Sequence, residues 1–387
     1  MQTNHYKFSE IAINFDKKRI PLSAMEREKR KGEYRYYGAQ GIIDYIDDYI
    51  FDGKYLLIAE DGENLKSNKQ NIAQIVNGKF WVNNHAHIIQ TNDKCNIDYL
   101  NYYLNSTDIS GYITGSAQPK LSQANLNNID LVLPDIKIQE KITSILLTID
   151  EKIAINNATN NNLEQQAQAV FLKSTNSNNF DNKLLSEVAT IKYGKGLPTN
   201  KLAKAGYKVF GGNGIIGYYT EYLYKEPQIL ISCRGAASGT ILESHPYSYI
   251  TNNSLIVELN DRRYYEFLKQ YFLLNQLHSY ATGSAQPQIT IDNLKTVEVP
   301  YPNYEVISDI DAYFTSISNK IYENICENEK LASLRDTLLP RLMKGEIDVS
   351  NVDISTDKLS FICQIILIFH ILHILYIFQT FISHRYR

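Results

Sequence analysis

The sequence predicts an α+β protein: two tandem mixed α/β units, each followed by a long helix, with the two helices pairing as an antiparallel coiled coil of pseudo-two-fold symmetry. Three observations carry this expectation. The hexapeptide Thr-Gly-Ser-Ala-Gln-Pro occurs at residues 114–119 and again at 282–287, and an identical run of that length marks one structural unit used twice. The same offset of 168 residues (282 − 114) carries 81–85 onto 249–253 and 149–153 onto 317–321. After each α/β unit the apolar spacing changes to three and four residues, the period of a helix with one apolar seam.

The repeat extends from about residue 6 to about 340. Nearer the N-terminus the offset grows, so that Tyr37-Gly38-Ala39-Gln40-Gly41-Ile42-Ile43 matches Phe210-Gly211-Gly212-Asn213-Gly214-Ile215-Ile216, and residues 8–12 match 185–189. That drift places length differences in surface loops. Within each unit, short β-like runs separated by Gly, Asn and Asp are predicted as strands at 55–59, 86–90, 228–232 and 254–259. A helical stretch precedes each hexapeptide, at 97–105 and 264–277, and a Pro-punctuated strand closes each unit, at 131–133 and 297–299.

The first long helix carries its seam on Ile142, Ile145, Ile149, Ile153, Leu163, Ala167 and Val170, and the second on Ile310, Phe314, Ile317, Ile321, Leu331 and Leu338. About 35 residues at 1.5 Å each make a rod of roughly 50 Å. A striped helix of that length needs a partner, and the equally long, equally striped candidate is its own repeat. Asn156 and Asn160 interrupt the first seam and Asn324 and Asn328 the second. A polar residue at a coiled-coil core position fixes register at a cost in stability. Asn156 and Asn324, near mid-helix, are expected to meet on the symmetry axis; Asn-rich drift is the plain alternative.

Composition bounds the function. A net charge of −3 and a pI near 6.3 exclude a uniformly basic binder, so nucleic-acid contacts need local patches. Four cysteines form no CxxC pair, which argues against a zinc site and for a reducing compartment. Residues 1–7 hold no apolar signal core, so a cytoplasmic location is expected. The 29 tyrosines suit phosphate or base contacts, but AT-rich coding inflates them equally.

Residues 37–45, the run Leu56-Leu57-Ile58-Ala59-Glu60-Asp61-Gly62, the hexapeptide, Leu133-Pro134, Gln139-Glu140-Lys141-Ile142 and the closing Leu339-Pro340-Arg341-Leu342-Met343-Lys344-Gly345-Glu346-Ile347 together resemble the specificity subunit of type I restriction–modification systems. The resemblance covers about nine tenths of the chain; in the second unit Glu305-Val306 stands where Gln-Glu is expected. It implies a non-catalytic subunit with target recognition domains at 1–135 and 176–303, spacer helices at 136–175 and 304–347, and an atypical tail at 348–387. Each domain would read one half of a bipartite sequence in double-stranded DNA. The helices would set the gap and dock two modification (methyltransferase) subunits, joined by ATP-dependent restriction subunits. No cofactor is expected in this chain; S-adenosylmethionine, ATP and Mg belong to the partner subunits.

Motifs for chemistry are weak. Gly212-Asn213-Gly214-Ile215-Ile216-Gly217 fits GxGxxG, but an extended stretch comes after it and its repeat lacks two of the glycines. A strand-to-strand turn is expected there rather than a dinucleotide site. No GxxxxGK[ST] and no Asn-Pro-Pro-Tyr stretch occurs. Asp150-Glu151-Lys152 is expected on a solvated helix face. Candidate phosphate contacts are Lys17, Lys18, Arg19, Lys29, Arg30, Lys66 and Lys69 in the first unit and Lys195, Lys201 and Lys204 in the second. Candidate base readers are Gln40, Asn64 and Gln70, then Asn213 and Arg234. Gln118 and Gln286 are identical in both copies, so the hexapeptide is expected to be shared scaffold or backbone contact. Residues 359–382 are twenty-four in a row without charge, enough for a membrane span. A read-through tail and a membrane anchor are both open. A free-standing two-domain DNA-binding regulator and an inactive or alternative specificity subunit are the competing functions.

Overall fold

The computed structural model describes residues 2–67, 70–115, 118–177, 180–283 and 286–352. The described residues divide into two compact units: one runs up to Ala154 and resumes at Asn328, the other is Ile155–Glu327. The apolar stretch 359–382 and Cys363 lie outside the described residues, and among those described no helix is long and apolar enough to cross a membrane.

In the first unit the strand Tyr55–Ala59 is apolar and buried along most of its length, as a central strand must be. It pairs antiparallel with Ala86–Thr91 on one side and Ala73–Val76 on the other; Ala12–Asn14 pairs with the outer edge of Ala86–Thr91. A second sheet runs in the order Gly41–Ile46, Lys31–Gly38, Lys79–Val82, Phe51–Asp52, with its middle pair parallel. Thr3–Lys7 pairs with the closing strand Asp130–Pro134. The helix Ile97–Ser106 is started by Asn96, whose side chain accepts from the backbone N–H of Asp98 and Tyr99.

The second unit repeats this plan. Its four-stranded sheet runs Ala189–Tyr193, Ser254–Leu259, Ile229–Ser232, Ile241–Glu243, and its three-stranded sheet Gly214–Tyr219, Tyr207–Gly211, Tyr249–Ile250. Asn182–Leu184 pairs with Glu298–Pro300. The expected helix at 264–277 is shorter: an α-helix over Tyr265–Leu274 and a separate 3-10 turn at His278–Tyr280. Gly239 and Gln276 divert the chain there, through the Leu277 N–H to Gly239 O bond and the Gln276 carbonyl that accepts from Ile241 N–H.

The long helices span Ile136–Ser177 and Tyr304–Met343, and the second continues through Pro340. In the first unit Ile142, Ile145, Leu146 and Ile149 share a core with Leu331, Leu334, Leu338 and Leu342. In the second unit Ala167 and Phe171 share one with Ile307, Phe314 and Ile317. There the two segments pass in opposite directions: Phe171 lies 6.4 Å from Phe314, and Asn160 bonds Asn324. The expected meeting of Asn156 with Asn324 is corrected. Asn324 Nδ2 donates to Asn160 Oδ1 at 2.7 Å, and Asn156 Nδ2 donates to Glu327 Oε2 at 2.8 Å. The apolar contacts fix the register, and they bring Asn324 opposite the asparagine one turn beyond the expected one.

Two further expectations change. Asp150 does not sit on a plain solvated face: it accepts from the Tyr102 hydroxyl and pairs with Arg335 at 2.8 Å. Gln139 is fully buried and clamps the helix start, accepting from Asn96 N–H and donating to Lys94 O and Pro134 O. One repeat offset on, its place is taken by the fully buried Ile307, not by the Glu305 matched to it in sequence, so apolar packing stands where the Gln139 clamp does in the first unit.

Candidate nucleic-acid interface

Three loops recur in each unit, and backbone hydrogen bonds join the second to the third. The first is a hairpin turn. Gly38 pairs with Gly41 around Ala39-Gln40, and Gly211 pairs with Gly214 around Gly212-Asn213. Gly41 has φ 128° and Gly214 φ 106°, backbone that favours glycine. The GxGxxG match is therefore a strand–turn–strand, as expected. The second loop leaves the central strand at Asp61-Gly62, or Arg234-Gly235. The third is the hexapeptide.

Both hexapeptides close in the same way. Thr114 and Lys120 exchange backbone hydrogen bonds of 2.8 and 2.7 Å; Thr282 and Gln288 exchange bonds of 2.9 and 2.8 Å. Gly62 N–H donates to Pro119 O at 3.3 Å, and Gly235 N–H to Pro287 O at 2.9 Å. Gly115 has φ 85° and Gly283 φ 95°, and a Cβ on Gly115 would fall 2.1 Å from Gln118 O. These backbone bonds give the identical hexapeptide a scaffold role, while Gln118 and Gln286 remain exposed. Ser116, Ala117, Ser284 and Ala285 lie outside the described residues.

On this common frame the side chains differ. At the backbone β-bridge that ties the second loop to the third, Asp61 stands opposite Lys120 in one unit and Arg234 opposite Gln288 in the other. His85 is exposed and bonds Asp61 at 2.7 Å, whereas the repeat-matched residue is the exposed Asn253. Gln40 and Asn213 are exposed on their turns. Beside each turn stands an apolar patch that sequence reading missed: Ile42, Ile43 and Tyr45 in one unit, Ile215, Ile216 and Tyr218 in the other, all exposed. The signal was available, since Gly-Ile-Ile-x-Tyr recurs in both copies.

The other candidates scatter. Lys17, Lys18, Lys29, Gln70, Lys195, Lys201, Lys204 and Arg234 are exposed. Lys66 is exposed and donates to Gly115 O at 3.0 Å, beside the hexapeptide. Lys69 lies outside the described residues. Arg30 pairs with Asp47 at 2.9 Å and lies over Trp81. Asn64, expected to reach a groove, is buried and donates to Asn71 O. Arg19 is taken up internally: it pairs with Glu60 at 2.8 Å and donates to Ala86 O at 2.9 Å, with a side chain 16% exposed.

Arg19 belongs to a network beneath the hexapeptide loop. The His87 imidazole lies between Asp16 Oδ2 at 2.6 Å and Leu121 O at 2.8 Å. Burial pushes Asp16 up, but the His87 hydrogen bond and charge, with the Ile88 N–H and Asn14, hold it below its ordinary value. Burial likewise opposes ionisation of Glu60, and Arg19 outweighs it. Asp16→Asn weakens the acceptor that holds the His87 ring and the Ile88 N–H and is expected to cost about 1–3 kcal/mol in urea unfolding; a loss under about 0.5 kcal/mol would contradict the network. Both carboxyls have depressed folded values. Their contribution is complete above the unfolded carboxylate range, roughly pH 4, and is lost as pH falls through the folded values. The Asp16→Asn chain should show a shallower acid limb.

Among the described residues no group of three His, Cys, Asp or Glu could hold a metal ion. The Cys95 thiol is pushed up to about 12 by burial, which leaves it inert as a nucleophile.

Fold and loops define a class: a duplicated protein that presents two loop clusters of common frame and different surface. The type I restriction modification DNA specificity domain family matches residues 4–165 and 178–327, and the chain belongs to that family. It is a non-catalytic specificity subunit with tandem target recognition domains, and its general role is recognition of a DNA target. A Haemophilus influenzae sequence assigned to the same class of specificity subunit is 26% identical over 346 residues, covering 82% of this chain and 88% of its own length. The Escherichia coli EcoprrI specificity subunit is 31% identical over 126 residues, 33% of this chain and 30% of its own. The fold is similar to that of the crystallised S subunit from M. genitalium, with a TM-score of 0.59 at 15% identity over 88% of this chain and 96% of that one.

Proposed function

We propose that each unit reads one half of a bipartite target in double-stranded DNA, and that the long helices set the gap and dock two modification subunits. The carrying observation is the loop cluster built twice on one frame with different exposed side chains. Domains of 1–135 and 176–303 are the readers, with spacers at 136–175 and 304–347 joined as an antiparallel coiled coil of pseudo-two-fold symmetry. The register residues are Asn156, Asn160, Asn324 and Asn328.

Chemistry assigns the roles. A two-stranded ribbon fits the major groove. Gln40 and Asn213 at the hairpin tips carry the amide that pairs adenine, Arg234 the fork that pairs guanine, and the exposed isoleucines suit a thymine methyl. Lys17, Lys18, Lys29, Lys66, Lys195 and Lys201 hold phosphates and set register; Arg19 and Arg30 brace the loops from within. S-adenosylmethionine, ATP and Mg act in the partner subunits, the restriction subunits among them, and the complex works in the cytoplasm.

Selection from random duplex DNA by the chain assembled with its modification subunits tests this reading. A motif of two short specified halves with a fixed unspecified gap is expected. A single contiguous motif, or none, overturns it.

A further inference from the structure

The two units part company at one place. In the first, the Tyr102 hydroxyl donates to Asp150, and Asp150 pairs with Arg335. One repeat offset relates these three residues to Gln270, Ser318 and Ala167. Each is smaller than its counterpart, and Ala167 removes a whole guanidinium. The second unit has a cavity of about 590 Å³ here, lined by all three.

The cavity wall is acidic. Glu164, Glu243, Glu266 and Asp311 line it against the cations Lys269 and Arg262. Lys269 is already spoken for: it bonds Glu266 at 2.7 Å, Glu243 at 3.1 Å and Ser318 Oγ at 2.7 Å. Arg262 lies over Tyr265 and donates to Pro227 O. Burial raises the carboxyls of Glu164 and Glu266 and pushes Asp311 up to about 6; Lys269 pairs with Glu266, while Glu164 and Asp311 have no ion pair among the described residues. Gln270, only 4% exposed, lines the cavity and has no side-chain hydrogen bond among the described residues. Its amide is not sealed off from solvent, so it opens onto the cavity.

We propose that this cavity binds an organic cation, a guanidinium or primary ammonium on a short chain, in the place that Arg335 fills in the first unit. The charged head would sit among Asp311, Glu164 and the Gln270 carbonyl, and the stem against Ala167 and Ile317. The cation could be a free small amine or an arginine side chain of an associated subunit; the chemistry is the same.

The test uses the full chain and agmatine, with the uncharged N-butylurea as control, read by calorimetry and thermal melting. Agmatine is expected to bind and raise the melting temperature, and N-butylurea to do neither. Ala167→Arg should raise the melting temperature without ligand and abolish agmatine binding. Asp311→Asn keeps the oxygen that accepts from Phe267 N–H, so it folds, and should weaken agmatine roughly tenfold, about 1.4 kcal/mol. No agmatine binding, equal binding of N-butylurea, or undiminished binding in Asp311→Asn would overturn the site. Repeating the titration on the assembly with modification subunits separates the sources: retained binding assigns a free amine, and blocked binding a subunit's arginine.

Discussion

Seven residues inserted into each long helix, at the facing positions Asn160 and Asn324, should lengthen the unspecified gap of the target by about three base pairs and abolish modification of the original one. Seven residues add roughly 10 Å of helix, and base pairs stack about 3.4 Å apart. A heptad keeps the apolar seam in phase, so Ile149 and Leu331 on one side and Phe171 and Phe314 on the other keep their packing. Neither loop cluster is touched. The specified halves should therefore be unchanged, which methylation mapping in cells carrying the lengthened chain reads directly. An altered half with an unchanged gap would contradict the division of labour between helices and domains.

Arg234→Ala should relax one base of the second half and leave the first half intact. A bidentate arginine–guanine contact is worth about 1–3 kcal/mol of discrimination, roughly 10- to 100-fold. Arg234 is exposed, and what holds its loop is backbone: Gly235 N–H to Pro287 O and Cys233 N–H to Asn253 O. The substitution should leave thermal stability unchanged, in contrast to Asp16→Asn. Binding to a panel of single-base variants separates the outcomes. A uniform loss across all sequences would reassign Arg234 to phosphate.

Much of the architecture was legible because a repeat supplies its own control. The strands at 55–59 and 254–259 appear within the same bounds, since short buried apolar runs flanked by Gly and Asn leave little choice. The hairpin at 212–217 was legible because the tyrosine-rich run 218–222 after it has the look of an extended chain, not of an opening helix. Long-range burial was not legible. Arg19 and Asn64 look like surface residues in sequence, and only the approach of Glu60 and of Asn71 turns them inward. Asp150 reads as a charged helix face until Tyr102 and Arg335 arrive from other segments. Helix register was off by one turn for the same reason: Asn156 and Asn160 are equivalent by pattern, and Phe171 against Phe314 decides between them. Ile42 and Ile43, like Ile215 and Ile216, are neighbours on their strands, where side chains ordinarily alternate between faces, and sequence does not say that both are bare there.

The central claim is that this chain chooses a bipartite DNA target for a modifying complex. Methylome sequencing of the host with and without the gene tests it most directly. The account predicts that one split adenine-methylation motif, two specified halves around a fixed gap, disappears with the gene and returns with it. Loss of no motif, or loss of an unsplit one, would contradict it.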